Sequence, residues 1–335
     1  MIRKSLLFIS LVLVGATYLL SSPKMSLVDL EGLENPQYLV AAKNFILIED
    51  NYKVKMYAMK DFKLIKTIGK KGEGPGEFKS FAFPQILPDS IMISSSSKVG
   101  FYDLSGNLIK EKKSPLTTYM IRKIADKYIS DRILKEADDF YIAYNIYDHE
   151  FRKIKEYYRM KWALHKDGRK DLFEIYFFDV YNNKIIFAHG EGFRIDILDK
   201  NGELLHSIEL NPAKITFSDS DMDFIIKDLM ENMKDKSYAQ YIKNRTIQPK
   251  YYPAIRKCVV ADGKIYVITY VKKDKLSECY IFDMSGKQLK RTFIPLRDTS
   301  PLMAPPFTIS GGHLYQLVEN EEKESWQLVI SKITP

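Results

Sequence analysis

The sequence predicts an all-β protein, a six-bladed β-propeller built from four-stranded antiparallel blades. Apolar runs rich in Ile, Val, Tyr and Phe recur along the 335 residues, and runs of about six such residues are typical of β-strands. A polar turn of the form Asp-x-x-Gly separates two of these runs in each clear copy. The whole unit occurs six times, and a repeat of this kind indicates a propeller.

The three clearest copies share the Asp-x-x-Gly turn. Its Asp can cap the backbone of its own turn, and its Gly supplies the positive φ that a tight hairpin needs. A leucine follows each Gly after two or three residues. The turns are Asp103–Gly106, Asp199–Gly202 and Asp283–Gly286, and the leucines are Leu108, Leu204 and Leu289.

Three weaker copies complete the predicted ring. The first has Lys60-Asp61 at its turn, the third keeps Asp167-Gly168, and the sixth stops after its second run. Because the sixth copy lacks a fourth strand, we expect Met25–Gly32 to supply it beside Trp326–Lys332. Such a closure removes exposed strand edges. A large two-sheet sandwich is the alternative, but it does not explain a repeating turn.

The N-terminal residues indicate export. Arg3 and Lys4 precede an apolar run at residues 6–20. The run ends at a Ser-Ser-Pro sequence, residues 21–23. This order is typical of a secretory signal, and the run is shorter than the about 20 residues of a membrane helix. Bulky residues stand where a cleavage site would be, so an uncleaved anchor remains an alternative. We predict a signal peptide or membrane anchor at 1–23, a propeller at 24–335, and a periplasmic or extracellular location. Membrane contact is expected only through an uncleaved N-terminal segment.

Charge and cysteine content restrict the partners and the chemistry. The formal net charge is +8, but the lysines are scattered in ones to threes, which indicates a solvated surface rather than a nucleic-acid interface. Cys258 and Cys279 fall on the first and third strands of the predicted fifth blade. One strand lies between them, so a separation of about 9–10 Å exceeds disulfide reach. We expect two free thiols and no nucleic-acid partner.

A glycine-rich stretch at Thr67–Ser80 has two possible roles. A phosphate-binding loop would need Lys and Ser or Thr after its last Gly, followed by a helix. Counted from Gly69, the spacing of such a loop ends at Gly74. Pro75 and Gly76 follow it in place of Lys and Ser or Thr, and a strand-like run comes next. We therefore interpret the stretch as a turn between blades 1 and 2, with Phe78 anchored between them.

The same stretch resembles the segment between blades in NHL-repeat and related six-bladed propellers. There, a G-x-G-P-G-x-F sequence and a later Pro lead into the next inner strand. The matching positions are Gly69, Gly72, Gly74, Pro75, Gly76, Phe78 and Pro84. The segment occurs once, whereas the Asp-x-x-Gly turns fit the family over most of the chain. The resemblance implies a propeller fold and, for many exported members, a surface for binding partners. It brings no catalytic residues with it.

Candidate functional residues fall on the face where the turns between second and third strands meet the connections between blades. We place Glu49, Asp50, His149, His189 and Glu191 there. Carboxylates and imidazoles can ligate a divalent metal such as Ca²⁺, and lactonase-type propellers have carboxylate-rich sites of this general kind. The alternative is that these residues are solvated hairpin tips.

An insertion at about 211–253 separates blades 4 and 5. Apolar residues at spacings of three and four predict a helix from Asp221, capped by Ser218 or Ser220. A shorter helix is predicted at Ser237–Lys243, and Tyr251 and Tyr252 follow it. The insertion either packs on the propeller rim or forms a lid or docking element whose tyrosines face a ligand. Long loops on rigid scaffolds often carry function. The residues of the apolar stripe are Met222, Phe224, Ile225, Ile226, Leu229, Met230 and Met233.

The sequence contains no G-x-S-x-G, H-E-x-x-H or C-x-x-C motif, so we predict no catalytic residue, no resident metal and no cofactor. The predicted function is a monomeric binding or scaffolding module in the cell envelope. Its ligand would be a protein, a peptide or a glycan. The alternative is a metal-dependent hydrolase, lactonase or lyase with its site at the channel mouth. A third possibility is a purely structural envelope protein.

Overall fold

The computed structural model describes residues 25–116, 118, 120–137, 139–161, 169–173, 176–189, 192–232, 236–298, 302 and 305–333. These residues form six four-stranded antiparallel sheets and a small two-stranded one. The first strands of successive blades contact one another in a closed cycle around a central channel. The predicted six-bladed propeller is therefore confirmed.

The first described strand, β1 (Met25–Leu30), belongs to the last blade, and the other strands follow in chain order. Blade 1 is β2 (Pro36–Ala41), β3 (Phe45–Asp50), β4 (Val54–Ala58) and β5 (Leu64–Ile68). Blade 2 is β6 (Phe83–Ile86), β7 (Ile91–Ser95), β8 (Lys98–Tyr102) and β9 (Leu108–Lys113). Blade 3 is β10 (Ile121–Ile124), β11 (Lys127–Glu136), β12 (Asp139–Tyr147) and β13 (Lys153–Lys161).

A short strand, β14 (Lys170–Asp171), precedes blade 4, which is β15 (Tyr176–Tyr181), β16 (Lys184–His189), β17 (Phe193–Asp199) and β18 (Leu204–Leu210). The insertion follows with α1 (Asp219–Asn232), α2 (Lys236–Arg245) and β19 (Thr246–Ile247), which pairs with β14 in parallel. Blade 5 is β20 (Lys257–Ala261), β21 (Lys264–Lys273), β22 (Leu276–Asp283) and β23 (Gln288–Ile294). Blade 6 is β24 (Phe307–Ser310), β25 (His313–Asn320), β26 (Ser325–Lys332) and β1.

Strand order gives the propeller two different faces. The connections between blades and the turns between second and third strands lie on one face, which we call the upper face. The turns between first and second strands, and between third and fourth strands, lie on the other, which we call the lower face. The insertion connects β18 to β20, so it belongs to the upper face.

The ring closes through β1. This strand pairs antiparallel with β26, from Met25 opposite Ser331 to Leu30 opposite Trp326, as predicted. Leu30 is buried in a core that joins blade 6 to blade 1 and includes Leu39 and Leu317. The closing strand therefore contributes both backbone pairing and apolar burial.

The glycine-rich stretch forms a turn that Phe78 anchors. Phe78 is fully buried in a core containing Met56 of blade 1 and Ile93 of blade 2. Gly69 adopts φ 79°, and a Cβ on it would lie 2.2 Å from the Phe78 ring. Only glycine fits both the backbone conformation and this close approach. The predicted anchoring of Phe78 between two blades is confirmed.

The Asp-x-x-Gly turns have the predicted aspartate cap and the predicted glycine with positive φ. Asp103 Oδ1 accepts hydrogen bonds from the backbone N–H groups of Ser105 at 2.9 Å and Asn107 at 2.8 Å, and Gly106 adopts φ 77°. The same pattern recurs at Asp199 and Asp283. The aspartate thus caps each turn, and the glycine makes the reversal.

Blade 3 departs from the predicted frame. The predicted turn at 167–168 lies outside the described residues, and the turn between the third and fourth strands is formed by Asp148–Arg152. Asp148 Oδ1 accepts the N–H groups of Glu150 at 2.8 Å and Arg152 at 2.9 Å. Phe151 takes the position of the glycine with φ 60°. Its buried ring stacks on Tyr128 at 4.6 Å, and this packing offsets the strained backbone.

Cys258 and Cys279 are free thiols on β20 and β22, with β21 between them, as predicted. Among the helices of the described residues, none is long and apolar enough to cross a membrane. The apolar segment at 6–20 lies outside the described residues.

Phe78 and Phe81 form a matched pair for testing the blade interface, since Phe81 is 45% exposed. We expect Phe78→Ala to lower the free energy of unfolding by about 3–5 kcal/mol because it leaves a cavity. Phe81→Ala should change it by less than about 0.5 kcal/mol. Urea unfolding followed by circular dichroism measures both values. Equal losses in the two variants would contradict the anchoring role of Phe78.

Candidate functional site on the upper face

The insertion has an apolar core of its own. Ile225 and Leu229 of α1 are buried with Ile242 of α2, and Met222 and Ile226 pack against this core. Leu172, in the connection between blades 3 and 4, is buried with them, and Leu302, in the connection between blades 5 and 6, packs against it. The insertion therefore packs against connections on either side of blades 4 and 5.

The start of α1 is fixed by a reciprocal cap. Ser218 N–H donates to Asp221 Oδ2 at 2.8 Å, and Asp221 N–H donates to Ser218 Oγ at 3.3 Å. This is a capping box with Asp in the place of the usual Glu. The structure selects Ser218 of the two predicted caps and begins the helix at Asp219.

The two predicted ligand-facing tyrosines differ in their surroundings. Tyr252 stacks on Tyr270 at 4.6 Å and contacts Phe217 at 4.9 Å. Burial, followed by a hydrogen bond to Asp221, raises the pKa of Tyr252. Tyr252 thus joins the insertion to blade 5. The half-buried ring of Tyr251 lies 5.3 Å from the ammonium groups of both Lys214 and Lys250.

Asp50 is occupied by structural contacts. Its Oδ1 accepts the backbone N–H groups of Glu34 at 2.9 Å and Asn35 at 2.6 Å, in the connection that follows β1. Its Oδ2 lies 2.8 Å from the ammonium group of Lys55, and both side chains are almost fully buried. Asp50 therefore fixes the entry into blade 1.

Glu49 is a buried carboxyl with an unusual protonation state. Its Oε1 accepts the N–H of Tyr52 at 3.2 Å, whereas its Oε2 has no hydrogen-bond partner of good geometry in the described part of the chain. Burial raises the pKa of Glu49 to about 7. A carboxyl with such a perturbed pKa is a candidate functional group.

His189 belongs to a compact polar network between blades 3 and 4. Its Nε2 lies 2.8 Å from Asp196 Oδ2, and its Nδ1 lies 3.3 Å from the Tyr158 hydroxyl. Asp196 Oδ1 also accepts hydrogen bonds from Ser207 Oγ at 2.7 Å and Arg194 Nε at 3.0 Å. Burial alone would raise the pKa of Asp196, but these hydrogen bonds outweigh it and lower the pKa to about 2. The network thus holds an ionised aspartate.

The structure does not bring the predicted metal ligands together. Glu49 and Asp50 lie on blade 1, His189 lies on blade 4, and Glu191 lies outside the described residues. The predicted face for His149 was wrong, because its turn joins the third and fourth strands of blade 3 and so lies on the lower face. Across the described ranges, no three His, Cys, Asp or Glu side chains are grouped so that they could hold a metal ion.

Exposed apolar side chains occur on both faces of the propeller, and three of them lie on the upper face. Phe81 lies between blades 1 and 2, Ile133 lies in the upper half of β11 and is 54% exposed, and Phe224 of α1 is 50% exposed. The lower ends of the outer strands also carry one or two exposed apolar residues on every blade, which are 42–59% exposed. These are Met25, Leu27, Leu64, Ile65, Leu108, Ile109, Ile154, Leu204, Leu205 and Leu289.

Comparison with known proteins gives a fold relationship. The structure is similar to that of a provisionally assigned exported protein from Bacteroides fragilis NCTC 9343, with a TM-score of 0.57 and 15% identity over 93% of this chain and 95% of that one. It is also similar to a DUF4221 family member from Bacteroides vulgatus ATCC 8482, with a TM-score of 0.49 and 10% identity over 92% and 96% of the two chains. No protein-family model and no curated protein matches the sequence. At these identities, the likeness shows the fold alone.

The raised pKa of Glu49 gives a pH-dependent prediction. The folded protein holds a proton on Glu49 up to about pH 7, whereas the unfolded chain releases it near pH 4.5. The free energy of unfolding therefore falls as the pH rises from about 4.5 to about 7, by about 3 kcal/mol in total. Glu49→Gln cannot ionise, so we expect it to match the wild type at pH 4 and to be more stable at pH 8.

Urea unfolding between pH 4 and pH 8 measures this difference. Glu321→Gln, on the exposed turn between β25 and β26, controls for the loss of one carboxylate. Stability curves for wild type and Glu49→Gln that stay parallel over the whole range would contradict a buried, protonated Glu49.

Proposed function

We propose that the protein is an exported β-propeller that binds a protein or peptide partner in the cell envelope through its upper face. It acts as a binding or scaffolding module, and a glycan is the other ligand class that the test below can reveal. The closed ring supplies a rigid support, and the elements added to its upper face supply the contacts.

Export is supported by the sequence and by one structural relative. Arg3 and Lys4 precede the apolar run at 6–20, and the similar Bacteroides fragilis protein is provisionally described as exported. In our proposal, residues 1–23 are a signal peptide or an anchor. β1 enters the ring at the lower face, with Met25 opposite Ser331 near the end of β26. An uncleaved anchor would therefore direct the upper face away from the membrane.

The observation that carries the proposal is the extra structure on the upper face. A propeller needs only short connections there, yet this one carries an insertion with its own core. It also carries a hairpin in blade 3 whose two strands have 10 and 9 residues. Ile133 and Phe224 expose large apolar side chains on these elements, and Phe81 exposes its ring in the connection between blades 1 and 2. Exposed apolar and aromatic groups on a rigid support are typical of protein-binding surfaces.

The candidate residues take separate roles in this proposal. Tyr251, whose ring lies beside two lysines, contacts the partner. Asp50 and Tyr252 position the loops around it, and the networks of Glu49 and His189 stabilise the upper ends of the blades. The likeness of 69–84 to NHL-repeat propellers agrees with a binding role. No observation on the described residues favours the metal-dependent hydrolase, because Glu49 and Asp50 lie on blade 1 whereas His189 lies on blade 4.

Site-specific photocrosslinking in the native host tests the proposal. A benzophenone amino acid replaces Phe81, Ile133 or Phe224 in the full chain. The controls are Ile109, Leu204 and Leu289, which are equally exposed but lie at the lower ends of outer strands. We expect one discrete adduct from the upper positions and none from the controls, because only the upper face contacts the partner.

The adduct also identifies the ligand class, because mass spectrometry of its tryptic digest finds peptides of a second protein, whereas glycosidase treatment returns a glycan adduct to the mass of the uncrosslinked chain. Adducts from the lower positions alone, or no adduct from any upper position, would contradict binding through the upper face. Recovery of the protein in the cytoplasmic fraction would contradict export.

A further inference from the structure

The six inner strands carry an uneven charge. They contain three cations, Arg122, Lys123 and Lys257, but a single carboxylate, Asp179. Lys123 donates a hydrogen bond to the carbonyl of Ala125, in the turn between β10 and β11 on the lower face. The charged groups of Arg122, Lys257 and Asp179 belong to the strands that line the channel.

Arg122 crosses the channel. Its Nη2 donates to the hydroxyl of Tyr38 at 2.6 Å, and its guanidinium lies 5.7 Å from the centre of the Tyr38 ring. Arg122 belongs to blade 3 and Tyr38 to blade 1, with blade 2 between them. Because both residues lie on inner strands, their side chains meet inside the central channel.

The guanidinium of Arg122 is only partly neutralised. Its Nε lies 3.4 Å from Asp179 Oδ1, but its Nη1 is buried and has no hydrogen-bond partner among the described residues. Arg122 as a whole is only 3% exposed. A buried donor left without an acceptor costs about 1–3 kcal/mol, and more when it is charged. The native fold therefore leaves one charged donor in the channel without an acceptor among the described residues.

Lys257 brings a second cation to the same region. Its ammonium group lies 4.9 Å from the centre of the Phe177 ring, and the described residues provide it with no carboxylate ion pair. Burial lowers the pKa of Lys257. Cys258 and the charge of Asp179 oppose this shift, and the charge of Arg122 adds to it. Two cations from blades 3 and 5 thus share the channel with one aspartate.

The channel also has room at this level. The Asp179 side chain is 41% exposed although it lies on an inner strand, so its accessible surface faces the channel. Tyr38 uses its oxygen to accept from Arg122 and keeps its own proton to donate, since burial raises the pKa of Tyr38. Lys257 is the first residue of β20, at the upper end of the channel. The region is therefore lined by several donors and can be approached from the upper face.

We propose that the upper half of the central channel is a binding site for a small monovalent anion, held by Arg122 Nη1 and the Lys257 ammonium group. Among the described residues of the inner strands, these two positive charges and one negative charge leave an excess of one positive charge, which a monovalent anion neutralises. In a poorly solvated channel this attraction is stronger than at the surface. Arg and Lys donors suit either chloride or a single carboxylate group, such as the end of a peptide.

The site is separate from the proposed partner contacts, and its test needs no partner. The purified full chain is melted at constant pH and ionic strength while gluconate is exchanged for chloride or acetate. A ligand that binds only the folded state raises the melting temperature with the logarithm of its concentration. We expect this rise for the wild type with at least one of the two anions.

Channel variants connect the effect to the site. Lys257→Met and Arg122→Gln should each weaken anion binding by about tenfold or more, and the rise in melting temperature should shrink accordingly. Lys264→Met is the matched control, because Lys264 is also a half-buried lysine of blade 5 but lies at the lower end of β21. It should keep the wild-type response. If Arg122→Gln does not fold, Lys257→Met alone provides the comparison.

Crystals grown with bromide provide a second readout, an anomalous scattering peak beside Arg122 Nη1. A response to acetate alone identifies a carboxylate ligand, and a response to chloride identifies an inorganic anion. The proposal is overturned if neither anion raises the melting temperature, which would mean that water alone satisfies Arg122. It is equally overturned if the response persists undiminished in Lys257→Met.

Discussion

The pairing of β1 with β26 is the interaction on which the rest of the structure depends. Without it, blade 6 would have three strands and the ring would end in an exposed edge, which invites pairing with other chains. Side chains of blade 1 hold the connection that follows β1 in place through hydrogen bonds. Asp50 accepts two of its backbone N–H groups, and the Tyr57 hydroxyl donates to the carbonyl of Glu31 at 2.9 Å. Residues far apart in sequence thus form one continuous ring.

Strand order within the blades divides the propeller into two faces of different character. On the lower face, short turns capped by Asp103, Asp199 and Asp283 follow the same hydrogen-bond pattern. On the upper face, the connections vary in length and carry the insertion. Variation there leaves the pairing within blades intact, because each connection begins after one blade ends. The upper face can therefore acquire binding elements without loss of the fold, which is why we place function there.

Much of the fold could be predicted from the sequence because its determinants are local. The Asp-x-x-Gly turns, the alternation of strands and the missing fourth strand of the last copy are all visible in the residues themselves. Blade 3 was harder. Phe151 replaces the glycine of the turn, and its strained backbone depends on packing against Tyr128, which no local pattern indicates. Because the sequence predicts that the turn at Asp148–Arg152 joins the second and third strands, the predicted face for His149 was wrong.

The candidate site was less predictable than the fold. The sequence predicts Asp50 and His189 as candidate metal ligands at hairpin tips of one face, but their partners, such as Lys55 and Asp196, are set by the packing of strands and blades. The channel residues were not identified at all. Arg122 and Tyr38 are 84 positions apart and belong to blades that are not neighbours. Only the closed ring brings them into contact, so the sequence contains no local signal for them.

Hydrogen exchange at β1 tests the central claim most directly. If β1 closes the ring, the amide groups of Met25–Leu30 that pair with β26 should exchange only when the whole propeller unfolds, as slowly as those of β25 and β26. Mass spectrometry of the folded full chain, with fragments covering 25–30 and 313–332, measures both rates. Similar protection in the two fragments is the result we expect. Exchange of the 25–30 fragment within seconds, while 313–332 stays protected, would contradict closure by the N-terminal strand.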